Sequence, residues 1–116
     1  MRNITHYIES IGQNVEFRVG QHAQENMDLI AMSQPEDLWF HIRDRPSCHV
    51  VATLPKQTYD KKQLRKIAVQ GAVVCKQFSK YKSEHRVSVI YTPIVNVGMT
   101  TTVGSVLVDK YHTIIL

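Results

Sequence analysis

The sequence predicts an α+β fold, in which one long amphipathic helix and one short helix pack on a mixed or antiparallel sheet of about six to seven strands. Several short segments alternate apolar and polar side chains, the period of a strand with one buried face. The segment from Lys61 to Lys80 instead repeats apolar residues at the period of a helix. A chain of 116 residues, 43% of them hydrophobic, has the length for one core, so we expect a single domain over residues 1–116.

The N-terminal half predicts four strands and a short helix. Residues 4–9 and 15–19 alternate around a Gly-Gln-Asn turn and indicate a hairpin. Apolar residues at helical spacing indicate a short helix over 23–32, which a Ser-Gln-Pro sequence ends. Residues 38–43 and 49–54 then indicate a second pair of strands around a polar turn.

The clearest helix spans Lys61 to about Lys80. One face is apolar and should pack on the sheet, with Leu64, Ile67, Ala68, Gly71, Cys75 and Phe78. Basic residues share an arc of roughly 140° on the largely opposite side, namely Lys61, Lys62, Arg65, Lys66, Lys76 and Lys80.

The C-terminal part predicts three more strands. Residues 86–92 alternate and end at Pro93, and a loop rich in Asn, Gly and Thr follows. Residues 106–108 and 111–115 are expected to form a final hairpin around Asp109 and Lys110.

Charge is distributed unevenly along the chain. Residues 1–60 carry five Lys/Arg against eight Asp/Glu, whereas residues 61–116 carry nine against two, within a formal net charge of +4. This asymmetry indicates a polyanionic partner such as nucleic acid. A basic, solvated face without a partner is the alternative.

Several other classes of protein find no support. No apolar run approaches the roughly 20 residues of a membrane helix, and the N-terminus lacks the apolar core of a signal peptide, so we expect a cytoplasmic protein with no membrane partner. Cys48 and Cys75 fit neither a disulfide framework nor a CxxC site and should be free thiols. The six histidines form no HxH or HExxH unit, so we expect no metal.

Catalysis and cofactor binding are not expected. Cys48 and His49 are neighbours in a predicted strand, where successive side chains point to opposite faces, so they make no catalytic dyad. No phosphate-cradling glycine loop or paired-carboxylate motif is present. We therefore expect a protein that is not an enzyme and holds no cofactor.

The segment Asp37–Val50, DLWFHIRDRPSCHV, resembles the signature of the NFACT-R domain family. In that signature an Asp-hydrophobic-Trp-hydrophobic-His strand leads through a Pro-Gly-Ser-like turn into His-Val. The resemblance continues in the family's order through VG at 19–20, ENMDL at 25–29, SK at 79–80, VSVIYT at 87–92, NV at 96–97, GSV at 104–106 and KYHTI at 110–114. It covers nearly the whole chain.

The resemblance implies an RNA-binding module. NFACT-R domains occur in the ribosome quality-control factors that extend stalled nascent chains, where they contact tRNA, and in smaller stand-alone proteins. This chain resembles the stand-alone type, because it contains none of the other domains of the large factors. Two departures stand out: Ser47 replaces the usual turn glycine, and the loop over 93–102, lysine-rich in larger members, has no basic residue.

Candidate RNA-binding residues fall into two sets. The first set surrounds the predicted turn and comprises His41, Arg43, Arg45 and His49; the second lies on and after the long helix and comprises Lys62, Arg65, Lys66, Lys76, Lys80 and Lys82. Arginine and lysine suit phosphate oxygens. The arginines could instead pair with Asp37 or Asp44, the histidines could serve buried structure, and Trp39 could stack on a base or belong to the core.

The leading hypothesis is binding of structured RNA, either tRNA or ribosomal RNA, through phosphate and shape contacts. One alternative is a DNA-binding protein of the same fold. Another is a non-catalytic adaptor whose acidic N-terminal half docks a basic protein. An exposed sheet edge would also permit a homodimer.

Overall fold

A computed structural model describes all 116 residues and contains one large antiparallel sheet with the strand order β1-β2-β4-β3-β5-β8. Its strands are β1 (Arg2–Ile8), β2 (Gln13–Gly20), β3 (Leu38–Ile42), β4 (His49–Thr53), β5 (Ser88–Pro93) and β8 (His112–Ile115). Two short strands, β6 (Val97–Met99) and β7 (Val106–Val108), pair separately, and the helices are α1 (Ala23–Ala31) and α2 (Lys61–Gln77). The predicted α+β fold is confirmed.

Helix α2 covers one face of the large sheet. It begins after Asp60, whose carboxylate accepts a hydrogen bond from the Gln63 backbone N–H at 2.8 Å. In return, the Gln63 side chain accepts a hydrogen bond from the Asp60 backbone N–H at 3.0 Å. This reciprocal capping box satisfies two donors at the helix start. The six apolar positions expected to face the sheet are buried or packed against the main core.

Gly71 sets how closely α2 approaches the sheet. A Cβ atom at this position would lie 2.1 Å from Cζ of Phe40 on β3. The absent side chain therefore leaves room for the Phe40 ring directly beneath the helix backbone. Both cysteines lie buried in this layer as free thiols.

Helix α1 and the β6–β7 pair cover the opposite face of the sheet. A second, smaller core lies between them and the sheet and contains Leu29, Ile30, Trp39, Val51, Ile90 and Ile94. Trp39 is therefore a core residue. Ile94 and Val97 come from the segment without basic residues, so part of this segment covers the second core.

The predicted C-terminal hairpin is wrong. β7 pairs with β6, and β8 instead completes the edge of the large sheet by pairing with β5. Val106 and Val108 pack against the second core, whereas Ile114 belongs to the main core under α2. The two strands thus belong to different layers, which alternation along the chain does not reveal. Neither helix has the length and apolarity needed to cross a membrane.

Candidate nucleic-acid interface

The turn between β3 and β4 is shaped by two polar residues. Asp44 adopts a left-handed backbone conformation with φ 57°, whereas Ser47 does not have a positive φ. The Ser47 hydroxyl accepts from the Ile42 N–H at 3.1 Å and donates to the Cys48 carbonyl at 2.9 Å. Serine in the place of the family's glycine therefore adopts no glycine-only conformation.

The two arginines of this turn differ in how they are held. Arg43 is exposed, and its Nε lies 3.5 Å from Asp44 Oδ2. Arg45 is bound more firmly, with Nη1 3.0 Å from Glu84 Oε1 and the guanidinium 3.8 Å above the centre of the Tyr81 ring. Both arginines thus form ion pairs, which was the alternative to RNA contact. Arg43 pairs with Asp44 as that alternative predicted, whereas Arg45 pairs with a glutamate 39 positions away in sequence.

Asp37, the other expected arginine partner, has a different role. Its carboxylate is buried and accepts from the backbone N–H groups of Gln34 at 2.9 Å and Leu54 at 3.0 Å. It ties the entry to β3 to the end of β4 and contacts no arginine in the structure.

His41 and His49 face each other across β3 and β4, with ring centres 5.0 Å apart. His49 is buried, and its Nδ1 accepts from Trp39 Nε1–H at 3.1 Å. Burial, reinforced by the charge of His41, lowers the pKa of His49 to about 3, and burial also lowers the pKa of His41. Both imidazoles are therefore neutral at pH 7, so neither supplies positive charge to a phosphate.

The first two turns of α2 carry an unpaired basic surface. Its three expected site residues are all exposed, and none of the ion pairs in the structure involves a lysine or Arg65. These residues, the α2 N-terminal group, are Lys62, Arg65 and Lys66.

The remaining expected lysines lie around the other end of α2. Lys76 is half-buried and its Nζ donates to the Leu116 carbonyl oxygen at 3.3 Å, whereas Lys80 and Lys82 are exposed. Seventeen helical residues span about 25 Å at 1.5 Å per residue, so the two groups of charges stand well apart.

One end of the molecule brings the turn and the helix end together. Pro46 and Ser47 of the turn line the same cavity, about 540 Å³ in volume, as Lys80 and residues at the start of α1. The turn and the lysine after α2 thus share one surface, from which the α2 N-terminal group is separate. Asn26 on α1 and Glu84 beside Arg45 were not among the candidate RNA-binding residues predicted from the sequence. The only feature of the sequence that pointed to Asn26 was its place in the ENMDL segment.

Residues 5–109 match the family described as the NFACT protein RNA binding domain. The chain belongs to this family. Membership in an RNA-binding domain family supports an RNA-binding role for this NFACT-R chain and suggests that the role is non-enzymatic.

Individual relatives agree with this assignment. The NFACT-R chain is 32% identical over 87 residues to coiled-coil domain-containing protein 25 of Danio rerio. The aligned region covers 71% of this chain and 40% of the relative. It is 37% identical over 82 residues to the homologue from Dictyostelium discoideum, in an alignment that covers 66% of this chain and 37% of that relative. This chain thus spans about two fifths of the length of the curated relatives it matches.

A solved structure shows the same fold. The C-terminal part of the fibronectin/fibrinogen-binding protein from Streptococcus suis superposes with a TM-score of 0.78 over 95% of this NFACT-R chain and 44% of the other chain. At 24% identity, this likeness speaks for the fold alone.

Proposed function

We propose that this NFACT-R domain binds structured RNA, either tRNA or ribosomal RNA, by contacts to phosphates and to helix shape, without catalysing a reaction. The observation that carries the proposal is the exposed α2 N-terminal group, whose charges no acidic side chain neutralises. Free cationic side chains on a rigid helix attract phosphates without regard to base sequence.

The distance between the two groups of charges favours a large, regular ligand. Lys62 and Lys76 are 14 helical positions apart, or about 21 Å, and Lys80 lies beyond the end of the helix. A single phosphate would meet only one of these groups, whereas a folded RNA presents phosphates across such a distance. Double-stranded RNA is recognised mostly through its shape and backbone, which agrees with the scarcity of exposed aromatic side chains on α2.

A charge-reversal experiment tests this proposal. We expect Lys62→Glu/Lys66→Glu to weaken tRNA binding at least tenfold in a filter-binding assay, since two attractive contacts become repulsive. The matched control is Lys56→Glu/Lys110→Glu, which changes the net charge equally at exposed positions outside the proposed surface. Equal losses of tRNA affinity in both variants would mean that binding depends only on the overall charge of the protein. An unchanged affinity in Lys62→Glu/Lys66→Glu would refute the role of α2.

The cellular role follows from the family resemblance and is part of the proposal. We infer that the domain acts in the cytoplasm in translation, in association with ribosome quality control. Sequencing of RNA that copurifies with the tagged protein should show enrichment of tRNA or ribosomal RNA over messenger RNA. Preference for matched DNA in competition would instead favour a DNA-binding role, and a protein partner that survives nuclease treatment would favour an adaptor.

A further inference from the structure

The side chain of Asn26 presents a recessed hydrogen-bond donor to an open cleft. Asn26 is 6% exposed, and its Oδ1 accepts from the His49 backbone N–H at 3.2 Å. That bond fixes the orientation of the amide and places Nδ2 on its other side. Nδ2 has no hydrogen-bond partner in the protein. Every side-chain nitrogen or oxygen that is fully enclosed does have a partner, so Nδ2 must be accessible, and we place it at the cavity that Asn26 lines.

His49 presents a second recessed donor beside the first. It is 2% exposed, and because Nδ1 accepts from the Trp39 indole, the ring proton resides on Nε2. Nε2 bonds no protein atom and, by the same reasoning, is open to the cavity that His49 lines. Asn26 and His49, which are joined by the bond from the His49 backbone N–H to the Asn26 side chain, therefore each direct a free side-chain donor outward.

The two cavities adjoin and form one cleft with two compartments. The Asn26 compartment has a volume of about 540 Å³ and the His49 compartment about 380 Å³. Both are lined by Pro46, Gly104 and Ser105, which form the boundary between them. Gly104, with φ 86°, lies against α1, since a Cβ there would be 2.8 Å from the Ala23 Cβ.

The chemistry of the two compartments differs. Lys80, the Asn26 amide and the start of α1 line the first, which therefore offers positive charge and hydrogen-bond donors suited to a phosphate. His41, His49, Asp44 and Arg45 line the second, which combines a neutral N–H donor with a carboxylate acceptor. Such mixed polarity suits the edge of an uncharged heterocycle that has both acceptors and donors.

We propose that this cleft binds one unpaired nucleotide of the RNA, with its phosphate in the Asn26 compartment and its base in the His49 compartment. The inference rests on the proposed RNA-binding function and deepens it. A base in a duplex has its edge paired and its neighbours stacked, so it cannot reach a donor as deeply recessed as His49 Nε2. Unpaired bases can be splayed into such a site, as is general in sequence-dependent RNA recognition.

The first test separates cleft binding from duplex binding. Two RNAs are compared by fluorescence anisotropy, a blunt hairpin and the same hairpin with a single-stranded 3′ overhang. We expect the wild-type protein to bind the overhang RNA about tenfold more tightly. Asn26→Asp keeps the acceptor for the His49 N–H but replaces the free donor with a carboxylate, and it should abolish this preference, so that the two RNAs bind with equal affinity.

The control is Asn3→Asp, the same chemical change at an exposed position of β1, which should retain the preference. Absence of a preference in the wild-type protein, or its persistence in Asn26→Asp, would overturn the cleft proposal. Failure to bind either RNA would instead count against the proposed function itself, so the two failures are distinguishable.

A second measurement avoids substitution altogether. In ¹⁵N NMR of the side-chain imidazoles and amides, titration with each of the four nucleoside 5′-monophosphates should shift the His49 Nε2 and Asn26 Nδ2 resonances together. Inorganic phosphate alone should shift only that of Asn26, and a nucleoside without phosphate should shift mainly that of His49. If no nucleotide perturbs either resonance at millimolar concentration, the cleft is not a nucleotide site.

Discussion

At the scale of single residues, His49 joins three elements of the fold. The ring accepts from Trp39 on β3, and the backbone of His49 in β4 donates to Asn26 on α1. Protonation at Nδ1 would break the bond to the indole, because a cationic imidazole has no acceptor. The residue thus contributes to structure through the same tautomer that leaves its Nε2–H free.

The lowered pKa of His49 predicts a pH dependence of stability. In the unfolded chain the pKa returns to about 6.5, so below that pH the unfolded state binds more protons than the folded state. The stabilisation is therefore complete above pH 6.5 and is lost as the pH falls toward 3. We expect the free energy of unfolding to drop by about 2 kcal/mol between pH 7 and pH 5.

Urea unfolding at both pH values measures this change. His85→Gln, at an exposed position, serves as the control and should keep the full dependence. A free energy of unfolding that does not differ between pH 7 and pH 5 would show that His49 is not held neutral by the fold.

The pairing of Arg45 with Glu84 predicts a gain of RNA affinity on substitution. Glu84→Gln removes a negative charge and releases the Arg45 guanidinium, so binding should tighten roughly two- to fivefold, in keeping with the strength of exposed ion pairs. Anisotropy titrations with tRNA would measure the effect. Glu36→Gln makes the same change at an exposed residue without an ion pair and should have a smaller effect. An unchanged affinity in Glu84→Gln would indicate that Arg45 does not contact the RNA.

At the scale of elements, α2 serves both the core and the proposed surface. Its inner face is seated on β3 at Gly71, and its outer face carries the α2 N-terminal group. The rigid seating of the helix fixes where those charges lie relative to the turn at its other end. A change that lifts the helix from the sheet should therefore affect stability and binding together.

Gly71→Val should destabilise the protein by roughly 2 kcal/mol or more. The added side chain would overlap the Phe40 ring, and overpacking in a closed core forces the backbone or the ring to move. Chemical denaturation measures the loss. Gln77→Val places the same side chain at an exposed position of the helix and should change the stability by no more than about 0.5 kcal/mol. If the two variants are equally stable, the space between α2 and Phe40 is large enough for a side chain at position 71, which would contradict the prediction.

At the scale of the whole molecule, positive charge lies in two groups at the two ends of α2, while the acidic N-terminal half contributes mostly to the sheet and α1. RNA binding through these groups should depend strongly on salt. We expect the logarithm of the affinity to fall linearly with the logarithm of the salt concentration, with each phosphate contact contributing about 0.7 to 0.9 to the slope.

Lys62→Glu/Lys66→Glu should reduce this slope by about 1.5 or more, since at least two contacts are lost. Lys56→Glu/Lys110→Glu should leave it unchanged. Titrations at several potassium chloride concentrations provide the measurement. A salt-independent affinity would mean that phosphate contacts do not dominate binding.

The large sheet remains open, with β1 at one edge and β8 at the other. Unpaired strand edges can pair with a second chain. The homodimer that the sequence permits therefore stays a prediction, as does the single domain over residues 1–116. Light scattering across a range of concentrations would test the former.

The sequence by itself determined the two helices, the first five strands and the family. The periodicity of the first five strands and of both helices lies within consecutive residues, and the DLWFHIRDRPSCHV segment can be recognised as a linear string. The positive face of α2 could be predicted for the same reason, because one helix fixes the relative directions of its own side chains.

Only the tertiary structure decided which distant residues meet. It assigned β7 to β6 and β8 to β5, paired Arg45 with Glu84, and placed the Asn26 amide against His49. These contacts depend on how layers pack around two cores, and residues far apart in the chain carry no local signal of their eventual partners. The basic helix could thus be predicted from the sequence, whereas the two-compartment cleft could not.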